Sequence, residues 1–170
     1  MSRHRLTFEL LPEKFTICRL PADAAIPAWA VRGMLNSITR TTDELSIICP
    51  EARVPADVNA ERGWKCLKLK GPISFSETGV LTAFVQPLSD HAIPIFVLST
   101  HDTDYVLVKE AWLKKALQCL RDVGHDDGTK PGAKLITQPV LSPESSQAQN
   151  LRRSPFAGES AQNAVERDPL

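Results

Sequence analysis

The chain has 170 residues, 42% of them hydrophobic, which suffices for one ordinary domain or two very small ones around a packed core. Lys plus Arg equals Asp plus Glu at 20 each, so the formal net charge is zero. That balance argues against nucleic acid as the main partner, because phosphate binding needs a basic field. No apolar run approaches a membrane span. The basic N-terminus has neither a long apolar core nor a small-residue cleavage site. A membrane partner and a signal peptide are therefore not expected, and a cytoplasmic location is.

In chain order, residues 6–11 and 15–20 read as two strands separated by Pro12, Glu13 and Lys14. Residues 28–35 read as a short helix with Pro27 at its first position. A hairpin follows, with strands over 37–41 and 44–49 and a turn at Thr42 and Asp43; one helical turn is read over 54–58. Residues 64–70, WKCLKLK, alternate between apolar and polar apart from the pair Cys66–Leu67, which predicts a strand with one wet face. Residues 77–91 carry Val80, Phe84, Val85 and Leu88 at helical spacing, with Ser76 as the natural N-cap and Pro87 distorting or ending the last turn. Residues 93–110 then read as strand, polar turn, strand: Ile93, Ile95 and Val97 alternate before the turn, and Val106 and Val108 after it. A last helix is read over 111–123, with Gly124 as its C-cap. Beyond it the composition shifts to Asp, Gly, Pro, Ser, Gln and Asn, which predicts a disordered tail over 124–170, with a short edge strand over 134–140 as the one exception.

This order amounts to two βαββα units in tandem. Each unit leaves a sheet edge unpaired, and each is too short to stand comfortably alone. The expected architecture is α+β: two small split-βαβ sandwiches sharing strands, with a first unit over 5–60 and a second over 61–123. The N-terminal strand at 5–11 is a candidate to complete the second sheet.

Two segments carry the functional reading. Residues 71–80, GPISFSETGV, form a turn-rich loop leading into a helix, and helix starts present unpaired N–H groups that bind carboxylates. Residues 99–104, STHDTD, are six consecutive polar side chains at a hairpin end. Together they suit a receptor for a small zwitterion better than a catalyst. Thr42 and Ser46 are candidates for a second, first-unit pocket. Cys18, Cys49, Cys66 and Cys119 form no CxxC pair, and His4, His91, His101 and His125 are scattered, so no metal, cofactor or catalytic residue is expected. Buried free thiols in a reducing compartment are the expectation instead.

The run LSTHDTDYVLVKE at 98–110, with GPISFSETGVLTAFVQPLSDHAIPIF before it, resembles the ACT domain. The closest likeness is the aspartokinase-type ACT pair of small ACT proteins and of the animal cytosolic arginine sensors (CASTOR). The resemblance covers roughly residues 5–122 and leaves the tail without a counterpart. It implies two tandem ACT units of ferredoxin-like βαββαβ fold, and an amino acid bound at an interface between units, arginine-like or other. By the same likeness Glu77, Gly79 and Val80 lie in the ligand-gripping loop and Asp104 faces the ligand side chain. Ser74, which stands where the arginine sensors carry glycine, and Thr100 complete the candidate ligand-binding set. A comparable site in a chain with two units requires a homodimer. The implied function is non-catalytic regulation by amino-acid binding, since the aspartokinase catalytic domain has no counterpart in the sequence. The alternative is a protein–protein adaptor whose ACT pair has lost its ligand.

Overall fold

The computed structural model describes residues 4–128. Six strands form one antiparallel sheet: β1 (Phe8–Leu20), β2 (Ser37–Arg40), β3 (Leu45–Pro50), β4 (Ala60–Leu69), β5 (Ile95–Ser99) and β6 (Asp104–Lys109). Their order across the sheet is β2-β3-β1-β4-β6-β5. Two helices, α1 (Val80–Asp90) and α2 (Leu113–Asp122), follow β4 and β6.

The long central strands explain how two short units become stable together. β1 pairs with β3 through residues Phe15 to Leu20 and with β4 along nearly its whole length. β4 in turn pairs with β6 through Trp64 to Lys68. The first unit is thus β2-β3-β1-β4 and the second β1-β4-β6-β5, with β1 and β4 belonging to both. The N-terminal half of β1 fills the place of the final strand in the second βαββαβ unit. The α+β, ferredoxin-like reading with shared strands describes this sheet.

Several local expectations are corrected. The strands read over 6–11 and 15–20 are one 13-residue strand. Pro12 does not break it because the pairing with β4 shifts register between Leu10 and Lys14, where a ladder N–H is not required. The Lys65 ammonium donates to the Pro12 and Glu13 carbonyls at 3.1 and 3.2 Å and so ties down that irregularity. The helix read over 28–35 is a single 3-10 turn, Ala28–Val31, closed by Ala30 N–H donating to Pro27 O. The turn read over 54–58 is present as Pro55–Val58, where Val58 N–H donates to Pro55 O at 3.3 Å; it follows a 3-10 turn at Glu51–Arg53 and an extended Val54, as the residue before Pro55 prefers to be.

Alternation divides the core by sheet face. On one face Phe8, Leu67, Leu69, Val106 and Val108 meet Val80, Phe84 and Leu88 of α1 and Ala116, Cys119 and Leu120 of α2. Phe8 and Phe84 pack edge to face at 5.3 Å. The same side continues into the first unit, where Cys18, Leu45, Ile47 and Cys49 are covered by Ala30 and Val54 from the connections. The opposite face holds Leu11, Phe15, Ile48, Trp64, Cys66 and Leu107, joined by Leu35.

The ordered chain also runs past the boundary read at residue 124. Gly124 takes φ 92° after α2, as a C-terminal glycine should. The chain then returns to β1: Asp126 N–H donates to Leu6 O and Phe8 N–H to Asp126 O, a parallel bridge. His125 is 5% exposed. Residues 124–128 are therefore part of the domain, whereas the edge strand read over 134–140 lies outside the described residues.

Candidate ligand site at the start of α1

The loop between β4 and α1 and the tip of the β5–β6 hairpin lie against each other. Ile73 N–H donates to Asp102 O at 2.8 Å, and the Phe75 ring meets the His101 ring edge-on at 5.2 Å. Thr103 is buried, and its hydroxyl donates to Leu69 O at 2.7 Å, fastening the tip to the end of β4. Gly71 makes this approach possible: a Cβ there would stand 2.5 Å from the Asp102 carbonyl oxygen. Neither Gly71 nor Thr103 was singled out from the sequence. The available signal was a glycine before proline, and a threonine at a strand start, where its hydroxyl can reach a neighbouring carbonyl.

Within this frame the candidate residues take distinct places. Gly79 is the N-cap of α1, at φ 79° and ψ 0°, and no side chain caps the helix. This replaces the expected cap at Ser76, whose N–H and hydroxyl instead meet the Ser74 hydroxyl. Glu77 consequently lies in the loop rather than in the first helical turn, its N–H bonded to Ser74 O at 2.9 Å. The left-handed glycine ends the loop and lets the helix begin only at Val80, which is buried among the α1 core residues. The first N–H groups of α1 have no acceptor within the helix, as geometry dictates for any helix start. Pro87 does not end α1, which continues to Asp90.

Asp104 is the first residue of β6 and pairs with Ser99, whose hydroxyl donates to its carboxylate. Alternation along β6 puts Asp104 on the side of Val106 and Val108, the face that α1 covers. The register Lys68 to Tyr105 puts Asp104 at the strand end where β4 leads into the α1 loop. The start of α1 and Asp104 thus share one face and one end of the sheet. The Thr100 hydroxyl is used within the tip, donating to Thr103 O at 2.9 Å.

The hollows beside this loop have other walls. One of about 420 Å³ is lined by Lys68, Gly71, Pro72, Asp102 and Thr103. A second, of about 350 Å³, is lined by Thr7, Phe8, Glu9, Lys68, Leu69, Lys70, Gly71 and Gly128. Ser74, Glu77, Gly79, Val80, Thr100 and Asp104 line neither. Ser74, Glu77, Gly79 and Thr100 are exposed, Asp104 is half-buried, and the Val80 side chain is buried in the core.

Among the described residues no group of three or more His, Cys, Asp or Glu is arranged to hold a metal ion. All four cysteines are free and buried. Burial pushes the Cys66 thiol up to about 12 and the Cys49 thiol up to about 11, and raises Cys18, so these sulfurs stay protonated and unreactive near neutrality. Among the described residues no helix is long and apolar enough to cross a membrane.

Comparison with known proteins places the fold. The ACT-domain family model matches residues 59–122, and a separate model of an N-terminal domain matches residues 13–57. The crystal structure of protein Atu0741 from Agrobacterium tumefaciens is 46% identical, covers 72% of this chain and 92% of its own, and superposes with a TM-score of 0.69. A protein of unknown function from Vibrio cholerae, VC0802, described as a possible transport protein, is 17% identical over 71% of this chain and 91% of its own, with a TM-score of 0.58. Clostridium acetobutylicum aspartate kinase is 10% identical, with a TM-score of 0.52; the match covers 69% of this chain and 34% of the kinase. No curated protein sequence matches. Residues 59–122 are an ACT domain, and the chain shares its fold with about a third of an aspartate kinase chain. Within that class it belongs to the same family as Atu0741.

Proposed function

We propose that this protein is a non-catalytic regulator that binds an amino acid, arginine-like or other, at an interface between ACT units of two copies. The observation that carries the reading is the contact of the α1 loop with the hairpin tip, beside a helix start that no side chain caps. The N–H groups at Gly79 and Val80 suit a ligand carboxylate. Asp104 and Glu77 suit its ammonium or guanidinium, and Ser74 and Thr100 contribute hydroxyls at the margin. Because these groups stand on an open surface, a second copy is needed to close the site.

The sheet edges support that arrangement. β2 carries Arg40, whose guanidinium bonds to the Ala22 and Ala24 carbonyls and shields that edge. The other edge, β5, reads Ile-Phe-Val-Leu-Ser, carries no charge, and ends at Ser99 beside Asp104. An apolar, uncharged edge strand is a template for pairing with another chain. Four unpaired buried thiols fit a reducing, cytoplasmic setting.

The test is titration calorimetry of the chain against each of the twenty amino acids. Binding of one of them is expected, lost in Asp104→Ala and in Gly79→Leu. An absence of heat and of thermal shift with all twenty removes the reading and favours the protein–protein adaptor. For an adaptor, the tail read over 124–170 would carry the interaction, and all of it beyond residue 128 lies outside the described residues.

A further inference from the structure

Pro87 lies inside α1 and has no N–H, so the carbonyl of Ala83, four residues earlier, loses its helical donor. An unpaired carbonyl in a part-buried helix turn is costly. The ring of His125 stands at this point, with Nε2 3.1 Å from Ala83 O. The other ring nitrogen fixes the tautomer. Leu6 N–H donates to His125 Nδ1 at 3.1 Å, so Nδ1 holds a lone pair and Nε2 holds the hydrogen. The ring also packs against Phe84 at 5.4 Å and is itself held by the chain turn after α2, where His125 N–H donates to Leu120 O.

We infer that His125 is a positioning residue: its Nε2–H replaces the hydrogen bond that Pro87 removes and so fixes the first turn of α1. That turn runs from Gly79, whose carbonyl accepts from Ala83 N–H at 2.9 Å. The link to ligand binding rests on the reading proposed above; the link from His125 to Ala83 does not. His125 lies beyond residue 122, where the ACT-domain match ends, so the segment after α2 belongs to the machinery of the helix start. The same ring reaches Leu6 and thereby joins three parts of the chain: the approach to β1, the first turn of α1 and the exit from α2.

The experiment is a double-mutant cycle with no ligand present, which separates its outcome from that of the amino-acid panel. Pro87→Ala restores a backbone N–H at position 87 and makes the histidine donor redundant. His125→Phe keeps a ring but removes the donor. His125→Phe is expected to weaken the folding equilibrium by about tenfold more in the Pro87 protein than in the Pro87→Ala background. Backbone amide NMR shifts of Gly79, Val80, Leu81 and Thr82 should move in His125→Phe and return toward their original values in the double variant. If His125→Phe does not fold, folding of the double variant supports the inference and its failure to fold contradicts it. Imidazole nitrogen spectra of the unaltered protein give an independent check: Nε2 protonated and Nδ1 bare is expected. The opposite tautomer, or equal losses in both backgrounds, overturns the inference.

Discussion

The two halves of the sheet share a strand order and differ in what covers them. In the second half, α1 and α2 lay Val80, Phe84, Leu88, Ala116 and Leu120 over the strands. In the first half the connections contribute 3-10 turns, and Ala30 and Val54 cover Cys18, Leu45, Ile47 and Cys49. The contrast teaches that a strand frame with shared central members tolerates the loss of helices, provided that the connecting loops still deliver apolar side chains. It also separates structure from function. A 3-10 turn of four residues has no extended helix start to offer, whereas α1 has 11 residues behind an uncapped left-handed glycine.

The comparison can be broken or sharpened experimentally. The largest effect is expected where a helix meets the sheet. Phe84→Ala removes a fully buried ring that touches Phe8 and His125, and denaturant unfolding should show a loss of about 3–5 kcal/mol. A loss below ~1 kcal/mol would mean that the helices are as dispensable in this half as in the other. Next comes the loop-covered half. Ala30 is fully buried in its 3-10 turn, so Ala30→Leu should overpack the space and cost about 1–3 kcal/mol. A neutral result would show that the first-half cover is loose.

A third effect is alkaline. The buried thiols are raised above their ordinary value of 9.0, so the unfolded chain gives up these protons first as pH rises. Stability is therefore full below about pH 9 and falls from there toward pH 11 for Cys49 and pH 12 for Cys66. Melting temperatures across that range, compared with Cys66→Ala and Cys49→Ala, measure the share of each thiol. A melting curve unchanged between pH 8 and 10.5 would contradict the expectation.

The hairpins were legible because β-favouring runs flank short polar turns: Ser37–Arg40 with Leu45–Pro50, and Ile95–Ser99 with Asp104–Lys109, follow the pattern read from residues alone. Failures came where tertiary contacts override local signals. Pro12 looked like a break, yet a register shift and Lys65 absorb it. Ser76 looked like a helix cap, yet Gly79 turns the chain three residues later. Residues 124–128 looked like tail by composition, and only the bonds of His125 and Asp126 to distant backbone show otherwise. At the site, the polar tip and the glycine-bearing loop were legible. Their contact through Gly71, Ile73 and Thr103 was not, because it depends on backbone approach between segments about 30 residues apart, which no local pattern encodes.

The most direct test is a backbone amide NMR map of the chain before and after addition of an equimolar mixture of the twenty amino acids. The account predicts shifts concentrated at Gly79 to Thr82, at Ser99 to Asp104 and along the β5 edge, with the first-half strands silent. Shifts centred on the first half, or none anywhere, would contradict it.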